Sequence, residues 1–579
     1  MDGWYNYTHP TLSTITPSEG TTSSTIPADA IEIGTLAQLQ NLRDGVNAGT
    51  LNTTGKYYVL TADIDMSSVF NWTPIGINTT NYFKGTFDGN YHTISGLTIS
   101  STSYTSTNYA GLFGYIKTGS SVTIRNLCLS NVNISIKGNL NTYCVGAFVG
   151  DAIGANIYSC MASGSISATS TYDASSGKNT TVNAGGLAGM VGGVYGSYNA
   201  CTVFAETTQS DDEYITTVRA GGIVAQLPVN TSIQYCFNIG DISAETTSYS
   251  RGEIGGIVGR VNGGDILGCY NLGAVNLTMT TYCTGSYAGG IVGWNNSMNN
   301  VISTCYNEGN VVADVQGRST ATNAGGIVAY TKSSIDNCYN TGNVMADKGL
   351  TNSTNIVAYA GGIAGYLYFN NIDKCYNTGL VAALTYASTS TSYIGGIIGR
   401  FDNSTAHPSV DCYNAGNLAY RTSSKSTLNI GVIYGACDTD ILSLDSNFLL
   451  GIVVGTLTGL TNTTLANTAE PTLAQQQEAG YIDGLSWLTS GFLDYETEND
   501  YWAETTDSHP ALKMPVSTVA GLYGLQFSNE DKYYYLTNSI DVSSKNGFRI
   551  AGDSTTPWSG TLDGNGYVIN GLTRQGTIA

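Results

Sequence analysis

AGGIVGWNNSMNNVISTCYNEGNVVA, residues 288–313, is followed by NAGGIVAYTKSSIDNCYNTGNVMA at 323–346 and YAGGIAGYLYFNNIDKCYNTGLVAA at 359–383. A fourth copy reads YIGGIIGRFDN at 393–403 and DCYNAGN at 411–417. Each carries a small-residue pair, a β-branched run, a polar turn, an apolar residue, Cys-Tyr-Asn and a Gly turn. Extended outward, the first Gly of the block falls at 111, 146, 185, 221, 255, 289, 325, 361, 395 and 431, a spacing of 34 to 39 residues. Helical repeats share this period, but Gly-Gly pairs and runs of Thr, Ser and Asn do not make two amphipathic helices per unit. Three short β segments fit instead: GGIVG, I-x-x-CYN and GNVxA, with one variable loop before the next GGIVG. The unit reads as one coil of an all-β parallel β-helix, or β-solenoid. About ten coils of 34–36 residues then stack into one cooperative body, about 48 Å long at ~4.8 Å per coil.

Composition agrees. Of 579 residues 71 are Gly and 40 are Tyr, while only 11% are charged. Such a chain suits short strands and tight turns better than helices. The net charge of −20 comes from scarce bases, 22 Lys and Arg against 42 Asp and Glu. It argues against nucleic-acid or anionic-membrane partners, both of which need clustered bases. No apolar run is long enough for a transmembrane helix, and MDGWYNYTHPTLS lacks the layout of a signal peptide.

Residues 1–34 read as a Ser-, Thr- and Pro-rich linker-like segment. Over 35–100 we expect a capping helix and the opening coils. Thr35 and Gln38 form a capping box, Leu36, Leu39, Leu42 and Val46 line one face, and Gly49 stops the helix. Lys56–Ser68 follows as an alternating strand with Tyr57, Val59, Ala62 and Ile64 toward the core. Phe83–Ser100 reads as strand, Asp-Gly-Asn turn, strand. The repeat solenoid fills 101–455, and 456–515 is a closing segment with a second capping box at Thr472–Gln475. Lys532–Ser544 and Trp558–Thr573 then copy Lys56–Ser68 and Phe83–Thr98. Residues 516–579 are therefore expected to be the truncated start of a second, similar module, making the chain a fragment of a multi-module protein.

The GGIVG…I-x-x-CYNxGxV units resemble the GLUG-type repeats of bacterial surface and secreted proteins, some of them large cell-wall-anchored peptidases. The opening LTADIDMSS…PIG…FKGTFDGNYHTISGLTI is similar to what precedes such repeats. The resemblance covers about 35–435 and again 532–573. It implies a β-solenoid and a place outside the cell or on its surface. The peptidases of that group carry H-E-x-x-H. Here His9, His92, His407 and His509 are not so arranged, so no catalytic residue is carried over.

Among candidate site residues, Cys236, Cys269, Cys305, Cys338, Cys375 and Cys412 hold one position in six coils, with Cys160 aligned to them. They read as a structural ladder of buried thiols, since stacked thiols point alike rather than at one another. Cys305→Ser is expected to cost about 1–3 kcal/mol by burying a hydroxyl. Asn238, Asn271, Asn307, Asn340, Asn377 and Asn414 are turn residues whose amides can bond from coil to coil. Between them run Phe237, Tyr270, Tyr306, Tyr339, Tyr376 and Tyr413. With Cys inward, alternation turns these rings outward as a candidate partner-binding stripe, or as a stack that only stabilises the sheet. Ile302, Ile335 and Ile372 can share the cysteine face only if a corner intervenes, for example at Asp336-Asn337. Asp494, Glu496, Glu498 and Asp500 are a solvated acidic run or, alternatively, Ca²⁺ ligands. No catalytic, cofactor-binding or metal residue is assigned, and no cofactor is expected.

The leading functional expectation is a non-catalytic cell-surface or secreted repeat protein, an adhesin-like rod, monomeric as a fragment. It would present the loops before each GGIVG, such as Glu206–Arg219, to a surface glycan or protein. The alternatives are a polysaccharide lyase- or hydrolase-like β-helix enzyme and an accessory part of a larger cell-wall-anchored peptidase. An enzyme would need carboxylates and bases converging on one face, whereas Asp265, Arg260, Asp373 and Arg400 are spread one per coil.

Overall fold

The computed structural model describes residues 26–437 apart from the gaps 101–108, 118–121, 140–141, 172–178, 209–214, 248, 318–320, 350–355, 386–389, 403–408, 411, 415, 422–426 and 432. It also describes 448–449, 453–456, 502–503, 511–516, 522, 533–536, 538–542 and 561–571. The chain is a parallel β-solenoid. The coil that begins at Ser250 shows the plan. Ser250–Gly255 lies in one sheet, Val258–Val261 and Gly264–Leu267 in a second, and Tyr270–Asn271 and Val275–Met279 in a third. Each strand pairs in parallel with its counterparts in the coils before and after, so Gly221, Gly255, Gly289, Gly325, Gly361, Gly395 and Gly431 form one register line.

The regular stack amounts to about 8 turns, slightly fewer than expected. The sheet holding Ser250–Gly255 has 10 strands, but the first, Tyr109–Ala110, is only 2 residues long. At the other end Phe448–Leu449 and Val453–Thr456 still pair with the coil before them.

Ile257, Ile291, Ile327, Ile363 and Ile397 form one interior column, each 0% exposed. Their backbone bonds run from coil to coil at 2.9–3.1 Å. GGIVG is nonetheless not one strand. The strand before it ends at its first Gly and the next begins at its fourth residue, so the second Gly and the Ile form a corner. A second corner sits just before each Cys, as the shared burial of Ile335 and Cys338 requires. Tyr235, Gly268, Thr304, Asn337 and Lys374 adopt φ of 54°, 60°, 56°, 51° and 50° there.

The helix runs Leu36–Asn47. Gln38 N donates to Thr35 Oγ1 at 3.3 Å and Gly34 N donates to Gln38 Oε1 at 2.8 Å, closing the capping box. Leu39, Leu42 and Val46 close the end of the core with Trp72 and Phe83. Three local expectations change. Ile31–Ile33 already pairs with Tyr58–Leu60, so the opening coils begin before residue 35. Within Tyr57–Leu60 the buried residues are Tyr58, Val59 and Leu60 rather than every second one. Thr86–Asp88 and Thr93–Ser95 are not a hairpin, because each pairs in parallel with other coils across a corner containing Asn90 and Tyr91 at positive φ.

Lys513–Val516, Tyr533–Leu536 and Thr561–Asp563 pair in parallel in that order, and Ile540–Asp541 pairs with Ile569–Asn570. This is the pairing of Ile31–Ile33, Tyr57–Leu60 and Thr86–Asp88, with Ile64–Asp65 on Ile94–Ser95. The second capping box at Thr472–Gln475 and the acidic run at 494–500 lie outside the described residues.

Candidate functional site

The aligned Cys-Tyr-Asn residues form three columns along the axis. Asn238, Asn271, Asn307, Asn340 and Asn377 each donate from Nδ2 to the next coil's Asn Oδ1 at 2.7–2.8 Å, the last to Asn414. The same amides also donate to the carbonyl two residues on, as Asn307 does to Gly309 O at 2.7 Å. Asn199, with Ser197 and Tyr198, extends all three columns by one coil. Asn199 donates to Asn238 Oδ1 at 2.8 Å. The signal was the S-Y-N at 197–199, hidden because Ser stands where Cys does elsewhere.

The aromatic column is a stack, not an open stripe. Tyr198, Phe237, Tyr270, Tyr306, Tyr339 and Tyr376 follow one another at centroid spacings of 4.6–4.9 Å and tilts of 1–10°. Exposure runs from 0% at Tyr306 to 7% at Tyr198 and Tyr270. The rings cover one another's faces, and Tyr534 lies against Tyr306 with hydroxyls 3.5 Å apart. Tyr413 continues the column through its backbone pairing with Tyr376. The rings lie outside the interior cluster that holds the cysteines, on the other side of the chain as alternation expects, but stacking on their own copies leaves them buried rather than open.

The cysteine column is wholly buried. Cys236, Cys269, Cys305, Cys338 and Cys375 are thiols, and Cys412 continues the line. Cys305 Sγ donates to Ser303 O at 3.2 Å and accepts from Cys269 N at 3.4 Å. Burial raises the thiols of Cys236, Cys305 and Cys375 well above the usual range. Protonated and enclosed, they are poor nucleophiles. Ser197 shows what a hydroxyl does here: its Oγ donates to Tyr195 O and accepts from Cys160 N, both at 2.9 Å. The 1–3 kcal/mol cost expected for Cys305→Ser is therefore corrected downward. With both partners in place it should cost less than about 1 kcal/mol, read from the urea midpoint.

A different line of residues gathers most of the polar chemistry, on the outer side of the GGIVG corner. Gly293 has no room for a side chain, since a Cβ there would lie 2.5 Å from Ile254 O. The strands entering and leaving the corner thus run in backbone contact, and their outward side chains meet. One column is Arg219, Glu253, Tyr287, Asn323, Tyr359 and Tyr393. The other is Gln226, Arg260, Trp294, Tyr330, Tyr366 and Arg400. Partners across this seam are seven residues apart. Arg219 Nη1 donates to Gln226 Oε1 at 2.9 Å, and Arg260 Nη1 to Glu253 Oε1 at 3.2 Å. Tyr287 meets Trp294, Tyr359 meets Tyr366, and Arg400 Nη1 donates to Tyr393 Oη at 2.8 Å.

Trp294, Tyr330 and Tyr366 stack at 6.0 and 5.3 Å. Tyr366 Oη donates to Asp402, which also pairs with Arg400 Nε at 2.6 Å. Burial lifts Tyr330 and Tyr359 to about 12, so both are neutral hydroxyls at pH 7. Glu253 is 0% exposed and holds Arg219, Arg251 and Arg260. A carboxylate so enclosed has no path to a substrate proton and is no general base. The seam offers N–H and O–H donors to something lying along it.

Arg260 and Arg400 thus share a column four coils apart. Asp265 and Asp373 stand on the following strand, accepting from Val301 N at 2.9 Å and Asn371 Nδ2 at 2.6 Å. No group of three or more His, Cys, Asp or Glu among the described residues is placed to hold a metal ion. The sequence signal for the seam was present: the residues two before and five after the first Gly read Arg/Gln, Glu/Arg, Tyr/Trp, Asn/Tyr, Tyr/Tyr and Tyr/Arg in successive coils.

Asp151 lies at the seam's N-terminal end, in register with Tyr115 and Met190. Burial raises its carboxyl from 3.8 to about 6. Because the folded state holds this proton more tightly than the unfolded chain, its contribution favours folding below pH ~4 and is lost as pH rises through 6. The loss is at most about 3 kcal/mol. Unfolding curves at pH 4, 5, 6 and 7 should show it, and Asp151→Asn should flatten that part of the profile.

These features define a β-solenoid of tandem short-strand coils with an outer seam along its axis. A family model described as the GLUG motif matches residues 320–345, and the neighbouring coils repeat the pattern of that GLUG-type unit. Halomucin of Haloquadratum walsbyi is 36% identical over 143 residues, which is 23% of this chain and 1% of halomucin. A protein of Evansella cellulosilytica, provisionally described as a Gly-rich membrane protein, is 35% identical over 127 residues, 21% of this chain and 13% of that one. The chain thus spans a small part of either relative. A crystal structure of a Bacteroides ovatus protein, provisionally assigned as an immunoglobulin A1 protease, matches 51% of this chain and 79% of its own, at 21% identity and a TM-score of 0.33. No described helix is long and apolar enough to cross a membrane.

Proposed function

We propose that this chain is a non-catalytic, adhesin-like rod of a cell-surface or secreted protein, binding a surface glycan or protein. The observation that carries the reading is the seam. It repeats donor and aromatic groups once per coil in a line parallel to the axis, which suits an extended ligand held by many modest contacts. Two further features support it. The partly matching relatives are a halomucin and a Gly-rich membrane protein, and the cysteine column is shielded from an oxidising exterior by burial. Loops before the GGIVG blocks, parts of which lie outside the described residues, would add specificity. The aromatic stack and the ladders act as structural supports. The segment from 516 onward is a second module following the first.

The test is binding of the purified chain to cell-wall and capsular polymers, with product release assayed alongside. Binding without turnover is expected, weakened when the loops before Gly221, Gly325 or Gly361 are shortened. Release of reducing or unsaturated ends, abolished by one Asp→Asn change, would replace the rod with an enzyme.

A further inference from the structure

The Arg219 end of the seam departs most sharply from the charge of the chain, which holds 22 Lys and Arg against 42 Asp and Glu. Three guanidiniums from two adjacent coils converge there on one carboxylate. Glu253 is fully buried and its oxygens are taken up by Arg219 Nε at 2.7 Å, Arg251 Nε at 2.6 Å and Arg260 Nη1 at 3.2 Å. Three positive charges against one negative leave an excess of two in a half-buried setting, where like charges repel more strongly than in water. Burial lowers the pKa of Arg260, with Glu253 opposing the shift and Arg219 and Arg251 adding to it.

The donors are unevenly spent. Arg219 uses Nη1 on Asn183 and Gln226, and Arg260 uses Nε on Asn262 at 2.9 Å. Arg251 spends only its ion pair with Glu253. Its guanidinium lies 4.6 Å from the Trp294 ring and 5.1 Å from that of Tyr287, which hold its plane. Side-chain exposure is 28% at Arg251 and 23% at Arg260, so their remaining N–H groups face water. A fixed guanidinium with free N–H groups beside a second cation is suited to a carboxylate held by two parallel bonds.

Resting on the rod reading above, we infer that this end of the seam is a subsite for the carboxylate of a uronate unit in a linear acidic glycan, held by Arg251 and Arg260. The adjoining coils continue the site. Trp294 and Tyr330 follow in one column and Tyr287 in the other, each one coil apart. The coil rise, seen in ring spacings of 4.7–4.9 Å along the Phe237–Tyr376 stack, is close to the length of one pyranose in an extended chain. Successive sugars therefore meet successive coils. An acidic peptide fits less well, because a bound strand takes its main-chain bonds from a sheet edge. The seam lies where every backbone is already paired with the coils above and below.

The test uses the full chain and four probes: polygalacturonate, its fully methyl-esterified form, polyglutamate and neutral dextran. Polygalacturonate should bind best and weaken as salt is raised. Arg251→Gln should weaken it about tenfold, and Arg251→Lys should recover only part of that, because charge returns without the fork. An unchanged melting temperature in Arg251→Lys separates lost binding from lost folding. Equal binding of the ester, or no effect of Arg251→Gln, overturns the uronate subsite while leaving the rod standing. Polyglutamate bound as tightly, and equally sensitive to Arg251→Gln, makes the cluster a peptide site instead. Failure of every probe on a folded chain that also binds no cell-wall polymer removes the rod reading too.

Discussion

Gly290→Ala should split the solenoid. A Cβ at Gly290 would lie 2.0 Å from Gly326 O and 2.3 Å from Asn307 Cγ. Neither neighbour can give way cheaply. The carbonyl belongs to the next coil's corner, and the Asn side chain is held at both ends by ladder bonds of 2.8 Å. Relief requires the coils to move apart by more than an ångström, which breaks Ile291 N to Ile327 O as well. The expected loss is above about 4 kcal/mol, the range reserved for overpacking that a core cannot absorb. Because coils touch only their neighbours, the damage falls on one interface, and urea unfolding should separate into two transitions. Gly263→Ala is the control. Its Cβ would stand 3.4 Å from Val229 Cγ1, an ordinary contact, and its midpoint should stay within about 0.5 kcal/mol of the parent. A single unshifted transition for Gly290→Ala would mean that the corner is looser than these distances require.

That corner also marks how far the sequence could be read. The period, the parallel register, the isoleucine column and the Asn-to-Asn bonds follow from identical residues recurring at one spacing, because identical side chains stacked in register meet their own copies. The helix at 36–47 follows from local capping chemistry. GGIVG reads as a strand because Ile and Val are β-branched, and only the neighbouring coil's carbonyl shows why its second residue admits no side chain. Alternation sets the aromatic column on the side of the chain away from the cysteines, but only the register of neighbouring coils shows that the rings stack face to face and are buried instead of lying open. The seam is written in the sequence only as two separated positions per coil. Glu253 and Arg260 are seven residues apart, and Arg219 is a coil away. They become neighbours only when the corner folds two outer sides together. Ser197 and Asn199 were missed because a column was defined by Cys rather than by its place in the coil.

Asn307→Leu should be the most costly change to a side chain that keeps its volume. Leu and Asn occupy similar space, so packing changes little and the polar accounting decides. Asn307 accepts from Asn271 Nδ2 at 2.8 Å and donates to Gly309 O at 2.7 Å and Asn340 Oδ1 at 2.8 Å. Leu strands all three groups, in a column where Asn271, Asn307 and Asn340 are each 0% exposed. At roughly 1–3 kcal/mol for each of the three buried unmet groups, the loss is on the order of 3–9 kcal/mol, which guanidinium unfolding would measure. Asn414→Leu should cost less, since of its described bonds only the one from Asn377 joins two coils, the other two being local ones with Gly416 O and Gly416 N. Coupling gives the sharper test. In Asn271→Leu/Asn307→Leu the bond between the two positions is absent from both sides, so that bond leaves no donor facing a lost acceptor, while Asn238 Nδ2 and Asn340 Oδ1 are stranded as in the single variants. The double variant should therefore be more stable than the sum of the two singles by about 1 kcal/mol or more. Strict additivity, or a loss below about 1 kcal/mol for Asn307→Leu alone, would show that the amide column follows the stack rather than holding it together.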